Sequence, residues 1–228
     1  MLPIAIHALR DALRSPSPWL ATIVGVFTVW AGLSLNVLAV DSRDAKSIEL
    51  GLATIEMTCC FLAIWLTTRL QRQDSEEGGL ESGLLAAGPG RVGLIGGTWV
   101  GAILGSMSPI LPMSLMIVVY HHMPGGDGYS MLYTIISSVP MLILELGCLV
   151  AWMGVLLPAA GGPVTLIVGL ALLVAARAGP GGALAGLLPV PVPSPGSSAS
   201  AALLLAEAAT IAGLALLALS GVGRARAT

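Results

Sequence analysis

Charge is what this chain has least of. Of 228 residues only 10% are charged and 56% are hydrophobic, whereas a soluble globular chain carries about 25% charged residues. So much apolar surface cannot be hidden in one soluble core of this size, and the solvent for most of the chain is lipid. The mean hydropathy of +0.92 agrees. Lys46 is the only lysine, and Ala45 precedes it. A phosphate-binding P-loop needs glycine before the lysine, so that chemistry is excluded. There is no HExxH, no GxSxG and no zinc-like Cys/His set, which leaves little basis for an intramembrane enzyme. With a net charge of −2 and no basic run, the chain is not expected to bind nucleic acid.

Cysteine and histidine are equally sparse. Cys59, Cys60 and Cys148 all lie in apolar stretches and read as small buried hydrophobes. His121 and His122 are adjacent, so they do not share a helix face; His7 is the only other histidine. They read as interfacial polar residues, and a metal or haem role would need partners from another chain.

What remains is a set of apolar runs. The pattern predicts an all-α polytopic membrane protein with six transmembrane helices and an N-terminal amphipathic interfacial helix. In residues 3–14, Ile4, Ala5, Ala8, Leu9 and Ala12 fall on one side, and His7, Arg10, Asp11 and Arg14 on the other. Such a helix can lie in the membrane interface with its arginines toward head groups. SPSP at 15–18 ends it. Residues 19–40 follow without a charge; at 1.5 Å per residue they reach about 33 Å, enough for a hydrocarbon core of about 30 Å. Further spans are expected at 50–68, 92–119, 130–157, 163–177 and 200–222. Asp41–Glu49 reads as a charged loop, 120–127 as another, and 158–163 as a tight turn. Residues 178–199 are apolar but broken by Gly and Pro, and read as an outer segment able to dip into the membrane. With both termini in the cytoplasm, seven basic residues lie inside (Arg10, Arg14, Arg69, Arg72, Arg91, Arg224, Arg226) against three outside (Arg43, Lys46, Arg177), the orientation the positive-inside rule favours.

Two features stand out from this background. Gly93, Gly97, Gly101 and Gly105 form one stripe on the third span, and small residues in register let two backbones approach closely in lipid. The stripe predicts a tight helix–helix seam, within the subunit or between two copies. Glu56, Glu145 and Glu207 fall inside spans, where an ionised carboxylate costs at least ~2.5 kcal/mol and must face protein or water. Glu145, near the middle of its span, is the candidate contact on a substrate path.

Residues 69–91 are the one long polar stretch, with Arg69, Arg72, Arg91, Asp74, Glu76, Glu77 and Glu81. Within it, Glu76, Glu77, Gly78, Gly79, Leu80, Glu81, Leu84, Leu85, Pro89 and Arg91 resemble, in order, a cytoplasmic segment of permease subunits of ABC-2 type transporters. That segment has the form E-x-G-T-L-E-x-L-L-x-x-P-x-x-R and lies between the second and third spans. Gly79 stands where threonine is usual, Ser82–Gly83 adds a residue, and a lysine often found early in the third span is missing. The layout of leader, six spans and broken outer segment is similar too. The order Asp74, Glu76, Gly78, Leu80, Glu81 also resembles the haem exporter B subunits of cytochrome c maturation.

The resemblance implies a permease subunit of an exporter in the cell (inner or plasma) membrane. Its partners would be a cytosolic ATPase subunit that carries the ATP and Mg, and a second permease subunit, identical or related. The 69–91 segment would couple the two: Leu80, Leu84 and Leu85 would give apolar contact with the ATPase, and Glu77 and Glu81 a polar rim. No cofactor is expected in this chain. The competing expectation is a non-transporting membrane scaffold or assembly factor that uses the same platform to hold a cytosolic protein.

Overall fold

The computed structural model describes residues 2–36, 43–76, 91–122, 128–160 and 162–177. They form helices α1 (Leu2–Arg14), α2 (Pro16–Asn36), α3 (Arg43–Glu76), α4 (Arg91–Ser106), α5 (Ile110–His122), α6 (Gly128–Ala160) and α7 (Gly162–Arg177). Four stretches are long and apolar enough to cross a membrane: Pro16–Ser34, Leu50–Leu70, Ile95–Tyr120 and Leu132–Leu156. This is the pattern of a multi-pass membrane protein. Of the two further spans expected, 163–177 is helical as α7 but is not among these four, since its 16 residues reach only about 24 Å. The other, 200–222, lies outside the described residues, as does 178–199.

Helix ends and membrane-span ends differ. The charged loop expected at 41–49 is helical from Arg43, and the polar stretch expected to begin a separate platform at Arg69 continues α3 to Glu76. Neither flank contains glycine or proline, so nothing in the backbone stops the helix where hydropathy falls. Conversely, the third span is not one helix. Met107–Pro109 form a turn between α4 and α5. Pro109 has no N–H to give the Gly105 carbonyl and its ring would press on it; Ser108 N bonds that carbonyl instead, at 3.3 Å. The loop expected from Tyr120 begins later, because α5 runs on through His122. The turn expected at 158–163 is shorter than six residues, since α6 runs to Ala160 and α7 starts at Gly162.

α3 is the centre of the bundle and packs against each of the other helices. Cys59 and Cys60, Leu62 to Ile64, and Leu66 are all fully buried, which leaves only the line of Met57, Phe61 and Trp65 exposed over these turns. Both adjacent thiols are buried, as is Cys148 of α6. Met113 and Ile117 of α5, and Leu146, Leu149, Val150 and Met153 of α6, complete the core. The hydroxyls of Thr67 and Thr68 bond their own helix's carbonyls at 2.7 and 2.8 Å, which removes the penalty for burying them.

The order of contacts gives the directions. Gly25 and Gly32 of α2 approach Thr58 and Leu50 of α3, so these helices are antiparallel. Gly25 approaches Met113, and Tyr120 Oη donates to the Leu33 carbonyl at 2.9 Å, so α2 and α5 are parallel. Strands of chain that alternate in this way are what successive membrane crossings require. The Tyr120 bond ties the far end of α5 to the last turn of α2, where helix carbonyls lose their partners. Tyr120→Phe should lower stability by about 1 kcal/mol, read as an earlier thermal unfolding midpoint in detergent.

Candidate functional site

The glycine stripe of α4 is filled by α1. A β-carbon built on Gly97 would lie 2.7 Å from Ile4 Cβ, and one on Gly105 3.0 Å from Ala12 Cβ. At Gly101 it would lie 2.5 Å from Ala8 Cβ and 3.1 Å from both the Ala5 carbonyl oxygen and the Leu9 nitrogen. Two of those three atoms are backbone, so no rotamer change can relieve the clash. The seam therefore forms within one chain. The partners advance together along both helices, so α1 and α4 run in the same direction. A row of residues spaced by four meets another row spaced by four, the packing whose helices cross at about −40° to −50°. Gly93 is half-buried and sits one turn nearer the start of α4 than the Ile4 contact.

α1 has three faces rather than two. Ala5, Ala8 and Ala12 are buried in the seam, while Leu2, Ile6 and Leu13 form an exposed apolar strip. His7, Arg10 and Arg14 are exposed on the third side, where His7 Nδ1 lies 3.1 Å from Asp11 Oδ2. The face expected to carry the helix's apolar side is thus its packing face, and the strip beside it meets lipid. The helix expected at the membrane interface is thus held by protein, along the seam with α4. The spacing carried the signal, because Ile4, Ala8 and Ala12 repeat the four-residue period of the glycines they meet.

The junction between α1 and α2 is tightly built. Ser15 caps α2: Ser17 N donates to Ser15 Oγ at 3.3 Å, and Pro16 takes the first helical position, where a missing N–H costs nothing. Trp19 is exposed and donates its indole N–H to the Leu13 carbonyl at 2.9 Å. The amphipathic Trp19 ring lies beside the exposed Arg14, the pairing of residue types that favours head-group regions.

The remaining candidates fall as follows. Glu77, Leu80, Glu81, Leu84 and Leu85 lie outside the described residues. Their flanks do not: α3 ends at Glu76 and α4 begins at Arg91. Leu66 near the end of α3 contacts the position of Gly105, so this end of α3 lies beside α4. Glu145 is buried on α6 at 5% exposure. Glu56 of α3 is half-buried. Both carboxyl groups lie near Cys59, at the α3–α6 contact, a pairing that sequence position did not reveal. Glu207 lies outside the described residues. Helix α5 contains His121 and His122, which end it. Among the described residues no group of three His, Cys, Asp or Glu is placed to hold a metal ion.

Comparison with known proteins adds no relative: no family model, curated protein or solved structure matches the chain. The seam itself can be tested. Gly101→Leu should separate α1 from α4 and lower stability by about 1–3 kcal/mol, the usual cost of overpacking. Val100→Leu, at an exposed neighbour, should leave the thermal unfolding midpoint in detergent unchanged.

Proposed function

We propose that this chain is the membrane-spanning permease subunit of an ATP-driven transporter of the ABC-2 kind, working as an exporter in the cell membrane with both termini in the cytoplasm. A separate cytosolic ATPase subunit would supply ATP hydrolysis, and a second permease subunit, identical or related, would complete the path. The observation that supports this reading most is the anchoring of the polar segment's flanks. Before it, α3 packs against every other described helix. After it, α4 grips α1 through a seam with no slack. A load applied at 77–90 therefore reaches the whole bundle through helices that cannot bend independently of it.

In this reading Leu80, Leu84 and Leu85 seat the segment in a cleft of the ATPase, and Glu77 and Glu81 line the rim. Closure of two ATPase subunits presses on the segment, and α3 and α4 tilt together. Glu145 lies where α3 meets α6, so a tilt of α3 changes the surroundings of a buried carboxyl group. That makes it the residue of choice for a contact on the substrate path. Charge in a membrane core is tolerated only where protein or water receives it.

The test is capture of the partner. The tagged chain, extracted gently from its own membranes, should bring down a cytosolic ATPase. Leu84→Asp/Leu85→Asp should insert normally and lose that ATPase, with recovery falling at least about tenfold, since two buried leucines contribute several kcal/mol. Recovery of a cytosolic protein without ATPase activity would instead support a membrane scaffold.

A further inference from the structure

On the outer side of the α2–α3 pair lies an open groove of about 670 Å³. Its walls are the exposed sides of Leu20 and Val24 on one helix, and of Met57, Phe61 and Trp65 on the other. Its hydroxyl groups are already spent. Thr28, Thr54 and Thr58 donate to carbonyls of their own helices at 2.7–2.8 Å, and Ser17 Oγ shares a hydrogen bond with Ser15 Oγ. Nothing along the groove asks for a polar partner, so what fits its length is hydrocarbon.

The two ends differ. Met57, Phe61 and Trp65 are spaced by four, and the next residue in that line is the half-buried Arg69. At the same end, α2 begins beside the exposed Arg14 and carries the exposed Trp19, a residue favoured among lipid head groups. From Ser17 the groove runs inward to Thr28, about 16 Å at 1.5 Å per residue. That is the depth of one leaflet of a hydrocarbon core about 30 Å thick. We propose that the groove is a binding site for an anionic phospholipid of the leaflet next to α1, with one acyl chain between α2 and α3 and the phosphate held by Arg69 and Arg14. Arginine suits the role, because its fork of donors matches phosphate oxygens and it stays charged at every physiological pH.

Quenching of Trp65 by lipids with brominated acyl chains tests this. The full chain is reconstituted in phosphatidylcholine vesicles containing a rising fraction of brominated phosphatidylglycerol or, separately, brominated phosphatidylcholine. The signal from Trp65 is the difference between the wild type and Trp65→Phe. Phosphatidylglycerol should quench saturably, at a mole fraction at least about fivefold lower than phosphatidylcholine, the preference expected from one arginine near anionic lipid. Arg69→Gln should reduce that preference severalfold. Ala53→Phe, which fills the groove from an exposed position on its wall, should reduce quenching by both lipids and leave the fold intact. Equal, non-saturating quenching by the two lipids, unchanged in Arg69→Gln, would mean ordinary boundary lipid and overturn the proposal. Absence of quenching by either would mean that protein covers the groove, a second copy or residues 200–222, and would overturn it as well.

Discussion

The approach of α1 to α4 is the constraint on which the rest of the arrangement depends. In lipid there is little hydrophobic gain from pressing two apolar helices together, because the tails they displace are as apolar as leucine. Association relies on close van der Waals contact, and close contact requires that side chains be absent. Gly97, Gly101 and Gly105 provide that absence on one helix, and Ala5, Ala8 and Ala12 nearly provide it on the other. The backbone of α1 then meets α4 directly. With α4 fixed against α3 at the level of Leu66, α1 becomes part of the bundle.

Two consequences follow for how the molecule is built. The entry of the chain into the membrane is set at Ser15, where a capped helix start, a proline at the first position and the Trp19 indole meet. On the neighbouring helix the interruption at Met107–Pro109 lies just past the last seam contact. The same end of the bundle carries Arg10, Arg14 and Arg69 together with the two flanks of the polar segment 77–90. A load from a cytosolic partner and a contact with lipid head groups would therefore act on one rigid end of the bundle, not at scattered places.

Much of this was legible in the sequence, and what was not has a physical cause. Hydropathy located the apolar runs, since lipid selects for composition. It placed the ends of α3 poorly, because a span ends where polarity begins but a helix ends where the backbone is broken. Residues 43–49 and 69–76 are polar yet free of glycine and proline, so they are helical. The glycine stripe predicted a seam but not its occupant: a period fixes which face of a helix packs, never which other face it meets. Here the complementary period of Ile4, Ala8 and Ala12 was present a few lines earlier. That Glu145 and Glu56 both lie near Cys59 was not readable at all, because it depends on the relative depth of two spans far apart in sequence. The coupling residues Glu77, Leu80, Glu81, Leu84 and Leu85 rest on resemblance alone.

The most direct measurement is the distance between α1 and α4 within a single chain. Spin labels would be placed through His7→Cys and Val100→Cys, both at exposed positions, with the native cysteines protected by burial. Labelled chains would be diluted in an excess of unlabelled ones so that only intrachain pairs contribute. A seam within the chain predicts one short, narrow distance, set by helix axes no more than about 8–10 Å apart. A long or broad distribution, or a short distance that vanishes on dilution, would place α1 elsewhere and contradict the account.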